Sequence, residues 1–398
     1  MSSKSSFQIL HVLNDLANGG VETFCLNVNR NIDLKKYRFD YFLTIGDSNY
    51  YKTDVEKLGA KVFNIKSQKT PLLVPKSFKI FYLVMKVLRR EKLYDAIHLH
   101  QCKGINSILL AAYLSKVPVR VVHSHSSTML SKPNIFLNFK MKIYSFVRKF
   151  FLNLFATHKL GCSKNACESM YGSKCFSDIR TKVIYNGINL KKFNKDKYAL
   201  KDVSKTYMVN KEKINFINIG RFDKVKNQLF LIKVFHDLTK MREDVHLTII
   251  GYGELEKDII NLIHSLNLKG KVNLLPQDSC IPEVLSTMNY FILPSLHEGL
   301  GIVLIEAQAM GLPCFVSDGV PIESQIGLCN YIPLEKASTG WASYINTYLN
   351  NQPCQFIDVE KLKKYDIKSV SRSLEDIYKM SELDKRKTYK IFKKTVGE

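Results

Sequence analysis

The chain has 398 residues, more than one hydrophobic core ordinarily supports, so two domains are expected. Its apolar fraction of 45% is ordinary for a globular protein, and no uninterrupted apolar run approaches the roughly 18–20 residues of a membrane span. With 59 Lys and Arg against 36 Asp and Glu, the net charge of +23 calls for a polyanionic partner: nucleic acid, anionic lipid or a phosphate-bearing substrate.

Residues 1–6 are polar and lead straight into a strand at Phe7–Leu13, so no secretory signal is expected. Gly19-Gly20 then opens a helix near Val21. Residues 39–45 and 61–65 read as strands, 78–90 as a helix, and 96–100, 119–123, 159–162 and 182–185 as further strands. Strands alternating with helices imply parallel βαβ units. The polar, lysine-rich stretch 189–213 reads as a linker. A second alternating series follows at Ile214–Ile219, 246–250, 271–274, Tyr290–Leu293 and 313–316, and residues 362–398 read as a charged helical tail. The nine cysteines lack a metal or disulfide framework and read as reduced and mostly buried, which suits the cytoplasm. The expected organisation is α/β, with two Rossmann-like domains at 1–190 and 214–361, a linker at 191–213 and the tail at 362–398. Ligands in such sheets sit beyond the strand C-termini.

The most informative segment is Pro294-Ser295-Leu296-His297-Glu298-Gly299-Leu300-Gly301, running on to Glu306-Ala307. A strand enters a Gly-containing loop and then a helix, whose first N–H groups are unpaired and suit a phosphate. Glu298 in the loop and Glu306 in the helix could accept hydrogen bonds from vicinal hydroxyls. On spacing alone they could equally be a favourable N-terminal acid and a second exposed acid. Gly220 ends a strand and presents Arg221, with Lys226 following at a helix start. A guanidinium fork and an ammonium could clamp a diphosphate, or be two surface cations. Gly251-Tyr252-Gly253 is a glycine turn after the next strand.

These segments resemble retaining glycosyltransferases of the GT-B fold, family 4, and are similar to bacterial capsular and exopolysaccharide biosynthesis enzymes. The match lies in Glu-x7-Glu at Glu298 and Glu306, with Leu293-Pro294-Ser295 before it and the run from Ala307 to Pro313 after it. The resemblance implies two domains facing across a cleft, with the C-terminal helix returning to the first. It implies that Glu298 meets donor-sugar hydroxyls and Glu306 the ribose, while Gly299, Leu300 and Gly301 offer backbone and helix N-terminal contacts. Gly220, Arg221 and Lys226 resemble the family's pyrophosphate clamp. Gly19-Gly20-Val21-Glu22 resembles its Gly-Gly-x-Glu loop, bordering donor phosphates and acceptor. Asn186-Gly187-Ile188-Asn189 matches an Asn-Gly-x-Asp segment, but Asn189 replaces the Asp, so no charge-dependent role is expected there. A histidine that meets the donor sugar is expected at the end of the strand carrying His123 and His125. His125 lies further out and is the first choice, with His123 second; His98 and His100 are assigned no role.

Residues 96–167 contain no Asp or Glu. Within them, Ile135–Phe155 reads as a very apolar helix carrying Lys140, Lys142, Arg148 and Lys149, with aromatics including Phe136, Phe139, Tyr144, Phe146, Phe150 and Phe151. It is either a buried helix with wet cations or an interfacial helix on anionic lipid; the acceptor class favours the second. The expected reaction moves a sugar, with retention, from a nucleoside diphosphate (UDP favoured) to a polyprenyl-diphosphate-linked or oligosaccharide acceptor at the inner membrane face. The catalytic set is Arg221, Lys226, Glu298 and His125, with no metal and no cofactor, since no Asp-x-Asp motif appears. A GT-B sugar-nucleotide epimerase is the rival enzyme. Nucleic-acid binding is the remote alternative, and it lacks any matching motif.

Overall fold

The computed structural model describes residues 6–67, 75–91, 94–125, 135–198, 204, 206–207 and 209–379, with side chains of the long basic helix described from residue 143 onward. The chain forms two units, residues 1–187 with 367–398, and residues 188–366. The first runs β1 (Phe7–Leu13), α1 (Gly20–Asn31), β2 (Tyr37–Leu43), α2 (Lys52–Lys57), β3 (Val62–Asn64), α3 (Lys76–Glu91), β4 (Tyr94–His100), α4 (Ile105–Leu114), β5 (Val119–Ser124), α5 (Ile135–Phe155), β6 (His158–Gly161), α6 (Lys164–Tyr171) and β7 (Thr181–Val183). The second runs β8 (Ile214–Ile219), α7 (Gln228–Met241), β9 (Val245–Ile250), α8 (Glu256–Ser265), β10 (Val272–Leu275), α9 (Ile281–Ser286), β11 (Tyr290–Leu293), α10 (Ile302–Ala309), β12 (Cys314–Ser317), β13 (Cys329–Ile332), α11 (Ala337–Asn351) and α12 (Val359–Lys363). The last described helix, α13 (Ile367–Tyr378), returns to the first unit.

Each unit is one parallel sheet. The strand order is β3-β2-β1-β4-β5-β6-β7 in the first and β10-β9-β8-β11-β12-β13 in the second. Both orders reverse direction beside their first strand, between β1 and β4 and between β8 and β11. At such a switch point the loops leaving the two strands diverge and open a crevice at their C-terminal ends.

Alternation along the strands sorts side chains to two faces. In β1, Leu10 and Val12 join a core built with Leu83, Val84, Ile108, Leu109 and Leu152 of α3, α4 and α5. Ile9 and Leu13 join the opposite core, with Phe24, Leu26 and Val28 of α1 and Val370, Leu374 and Tyr378 of α13. The apolar stripe of α13 is therefore why the chain comes back: its buried face completes a layer that α1 alone leaves open. In the second unit, Phe216, Ile249 and Phe315 pack against Leu231 and Phe235 of α7 and Trp341 and Ile345 of α11. Gly251 follows β9 where nothing larger fits, since a Cβ there would stand 2.1 Å from the carbonyl oxygen of Gly220.

Candidate functional site

At the switch point of the second sheet, two loops are bonded into one surface. The β8–α7 loop carries Arg221 and Lys226; the β11–α10 loop carries Ser295 to Gly301. Asn227, in the left-handed region at φ 59°, donates from Nδ2 to the Pro294 carbonyl at 3.1 Å. The Leu296 N–H donates to the Val225 carbonyl at 2.8 Å. These cross-links bring Lys226 beside Glu298: Lys226 Nζ lies 2.6 Å from Glu298 Oε1, and Ser295 Oγ donates to the same oxygen at 2.7 Å. The Lys226 stem lies against Gly220, whose missing side chain leaves room for it. Lys226 also has its N–H fixed by Asp223 Oδ1 at 3.0 Å.

The acidic loop is held from below as well. Ser317 Oγ donates to the Ser295 carbonyl, Ser324 Oγ to the Leu300 carbonyl, and the Glu298 N–H to the Gly319 carbonyl. Gly301 then turns the chain into α10 at φ 74°, the left-handed region that a side chain disfavours. The first N–H groups of α10 follow directly, with the positive end of the helix dipole. Glu306 is partly buried one turn further on. Its carboxyl has no hydrogen-bond partner among the described residues, and burial pushes its pKa up to about 8. Arg221 is exposed, and its guanidinium is likewise unpartnered among the described residues. A buried carboxylate already neutralised by a lysine, an unpaired arginine and a carboxyl short of partners form a surface suited to phosphates and hydroxyls.

The sequence motifs of the first unit also converge on a switch point. Gly19 caps α1 and Gly20 is its first residue. Beside them a cavity of about 230 Å³ is lined by Leu13, Asn14, Val21, Glu22, His100, Gln101 and His125. His125 lines this cavity, whereas His123 is fully buried and does not. Both ring nitrogens of His125 are engaged by the protein: Nδ1 is 3.1 Å from Asn186 Oδ1 and Nε2 is 2.9 Å from His100 Nδ1. The His125 N–H donates to Gln101 Oε1 at 3.0 Å, and Gln101 holds a positive φ of 43°. Sequence reading passes over His98 and His100. Their signal is present as two His-x-His pairs, at 98/100 and 123/125, each placing both rings on one strand face.

The basic helix exists as α5. Leu152 and Phe155 pack into the core under α4, while Tyr144, Phe146 and Phe150 are exposed, Phe146 by 73%. Phe136, Phe139, Lys140 and Lys142 have side chains outside the described set. Among the described residues no helix is long and apolar enough to cross a membrane. All nine cysteines are free, and Cys280 and Cys354 are exposed.

Residues 202–369 match the family described as glycosyl transferases group 1, and Arg221, Lys226, Glu298 and Glu306 all fall within the match. Over residues 202–369 the chain is thus similar to group 1 glycosyl transferases. Its relatives agree that it is a transferase. It is 29% identical over 347 residues to the putative glycosyltransferase EpsF of Bacillus subtilis, covering 86% of this chain and 88% of that protein. It is 31% identical over 254 residues to the UDP-Gal:alpha-D-GlcNAc-diphosphoundecaprenol alpha-1,3-galactosyltransferase of Escherichia coli, covering 61% of this chain and 62% of that enzyme. Among solved structures, Anabaena HepE in complex with UDP and glucose superposes with a TM-score of 0.71 at 18% identity, covering 93% of this chain and 98% of that one. The two parallel-sheet units have the GT-B architecture.

Proposed function

We propose that this glycosyltransferase is a retaining family 4 enzyme that moves a hexose from a nucleoside diphosphate, UDP first, to a polyprenyl-diphosphate-linked or oligosaccharide acceptor in surface polysaccharide synthesis. The observation that carries the reading is the convergence of Arg221, the Lys226–Glu298 pair and the start of α10 at one switch point. The chemical demand is departure of a diphosphate from an oxocarbenium-like centre. Arg221 and Lys226, with Gly220 allowing the Lys226 stem to lie close, stabilise the charge that develops on the leaving phosphate. Glu298 accepts from sugar hydroxyls and, through its pairing, sets the position of Lys226. Gly299, Leu300 and Gly301 offer backbone to sugar and phosphate, and Glu306 accepts from the ribose. From the first unit, Gly19, Gly20 and His125 are the residues that meet the substrates. The Escherichia coli relative, a diphosphoundecaprenol galactosyltransferase by name, supports the lipid-linked acceptor, and the UDP bound to HepE supports the base.

With two cations and a helix N-terminus for the diphosphate, no divalent metal or other cofactor is required, and transfer is expected to survive chelation by EDTA. Such an acceptor places the enzyme at the cytoplasmic membrane face. The exposed Tyr144, Phe146 and Phe150 of α5, interleaved with Arg148 and Lys149, suit an anionic lipid surface. Phe78 and Tyr82 of α3 are exposed on the same helical layer. A panel of nucleotide sugars, assayed for release of nucleoside diphosphate with a polyprenyl-diphosphate-sugar acceptor, tests the proposal. Acceptor-dependent release supports it; donor epimerised without acceptor, or no turnover of any donor, refutes it.

A further inference from the structure

Five buried imidazoles lie on one face of the first sheet. His11 of β1 is in register with His98 of β4, and His100 is in register with His123 of β5. His125 follows one pleat later. Together with Phe24 and Cys25 of α1 and Tyr378 of α13 they fill the layer under the pocket. Such a density of polar rings in a core is costly unless each nitrogen finds a partner.

Most of them do find partners, and in one direction. Asn186 Oδ1 lies 3.1 Å from His125 Nδ1, His125 Nε2 lies 2.9 Å from His100 Nδ1, and His100 Nε2 lies 2.8 Å from His11 Nδ1. A neutral imidazole has one N–H and one lone pair. With the Asn186 oxygen as final acceptor, a single assignment fills all three links: every ring is protonated at Nδ1, and the chain donates from His11 to His100 to His125 to Asn186. The Cys25 thiol lies further from the same nitrogen, 3.5 Å from His100 Nε2, whose single lone pair the His11 Nδ1–H already fills. Burial keeps the rings neutral, holding His11 down at about 3 and His125 at about 4.

We infer that His100, backed by His11, is a positioning residue whose Nδ1–H fixes the tautomer and ring orientation of His125 at the pocket wall. Separately, the backbone N–H of His125 donates to the Gln101 side-chain oxygen, and His100, Gln101 and His125 all line the cavity. Gln101 itself holds a positive φ of 43°, a conformation that side chains disfavour. Cys25, His11 and His100 also bring three metal-ligating atoms within 4.8 Å of one another. However, 2.8 Å between two imidazole nitrogens is hydrogen-bond spacing, shorter than the about 3.3 Å separating two nitrogens on a tetrahedral zinc. The effect on transfer rests on the reading that His125 meets substrate; the tautomer itself does not.

The test is 15N NMR of the full chain labelled at histidine, with His125 assigned as the signal lost in His125→Gln, alongside kinetics of His100→Asn and His100→Leu. The Asn amide can donate from where Nδ1–H stood. His125 is expected to be protonated at Nδ1 in the wild type and in His100→Asn, with kcat/KM in that variant within about threefold of wild type. His100→Leu is expected to mix the tautomers and lower kcat/KM by about 10- to 100-fold, the range typical of an orienting partner. An Nε2–H tautomer in the wild type, equal losses in the Asn and Leu variants, or stoichiometric metal in the purified protein would each overturn the inference. If His100→Leu does not fold, the wild-type tautomer decides. If the wild type transfers no sugar, the functional proposal fails while the NMR result still judges the chain.

Discussion

Lys226 Nζ stands 2.6 Å from Glu298 Oε1, although 72 residues separate the two in sequence. The pair is mostly buried, with 20% and 10% of the two side chains exposed. Neither residue therefore acts alone. Glu298 holds the Lys226 ammonium in place, and Lys226 and Ser295 orient the Glu298 carboxylate; on the proposed function the first meets a diphosphate and the second hydroxyls.

Removing one partner leaves the other buried charge without its counter-ion, so single variants should cost more than the double. Lys226→Met is expected to lower stability of the second unit by about 1.5–3 kcal/mol, the scale of a charge-assisted hydrogen bond. Lys226→Met with Glu298→Gln is expected to recover much of that stability without recovering transfer. Urea melts of the three variants measure the coupling. Additive losses would show that the pair is incidental.

Glu306 sets a second test, through pH. Its folded pKa of about 8 lies above the ordinary 4.5 of the unfolded chain, so the folded state holds a proton that the unfolded state releases. Stability is lost as pH rises from the unfolded value toward 8, and Glu306→Gln removes that dependence. The variant should melt higher than wild type at pH 8 and equally at pH 4. Its affinity for nucleoside diphosphate should fall by about tenfold or more, from a lost hydrogen bond of about 1.5 kcal/mol. Equal melting temperatures at pH 8 would contradict the placement of this carboxyl.

The imidazole cluster predicts acid sensitivity of the first unit. Burial lowers the pKa of His11, His98, His100, His123 and His125, each below the ordinary 6.5. Cys25, Tyr41 and Tyr378 face the same layer and are pushed up by burial, so they stay protonated throughout. Above the unfolded value both states are neutral. As pH falls below it, the unfolded chain takes up protons that the folded one refuses, costing about 1.4 kcal/mol per pH unit for each histidine. Unfolding midpoints between pH 7 and pH 5 should drop with a slope of several protons, and His11→Phe should reduce that slope by about one. A flat profile would contradict it.

Membrane attachment is tested by flotation with anionic and zwitterionic vesicles. Binding is expected only to anionic ones, weakening as salt rises, and Phe146→Ser with Phe150→Ser should abolish it while leaving nucleotide binding intact. Equal flotation of the variant and wild type would rule out α5 as the attachment site.

Much of the fold was legible in the chain because strand and helix periods differ. Two βαβ series and the glycines at their strand ends could be read without tertiary information, whereas the return of the tail came only from the family resemblance. β13 was missed because Cys329–Ile332 is only four residues long and follows a glycine turn without alternation. In the site, Arg221, Lys226, Glu298 and Glu306 stood out through the family resemblance of their motifs, while local pattern alone left them equally readable as surface charges. The Lys226–Glu298 pairing was not legible, since it depends on Asn227 and Leu296 cross-linking two loops. The imidazole chain was hidden for a related reason. His-x-His gives the face of a strand, but only the parallel register sets one pair beside the next.

The central claim is that the second unit grips the diphosphate of a nucleotide sugar, and Arg221 tests it most directly because its exposed guanidinium bonds to nothing among the described residues. The measurement is the rate of nucleoside diphosphate release from the best nucleotide sugar, wild type against Arg221→Ala, with melting temperature alongside. A loss of about 100-fold or more at an unchanged melting temperature is the predicted result. Near-wild-type release by Arg221→Ala would contradict the claim.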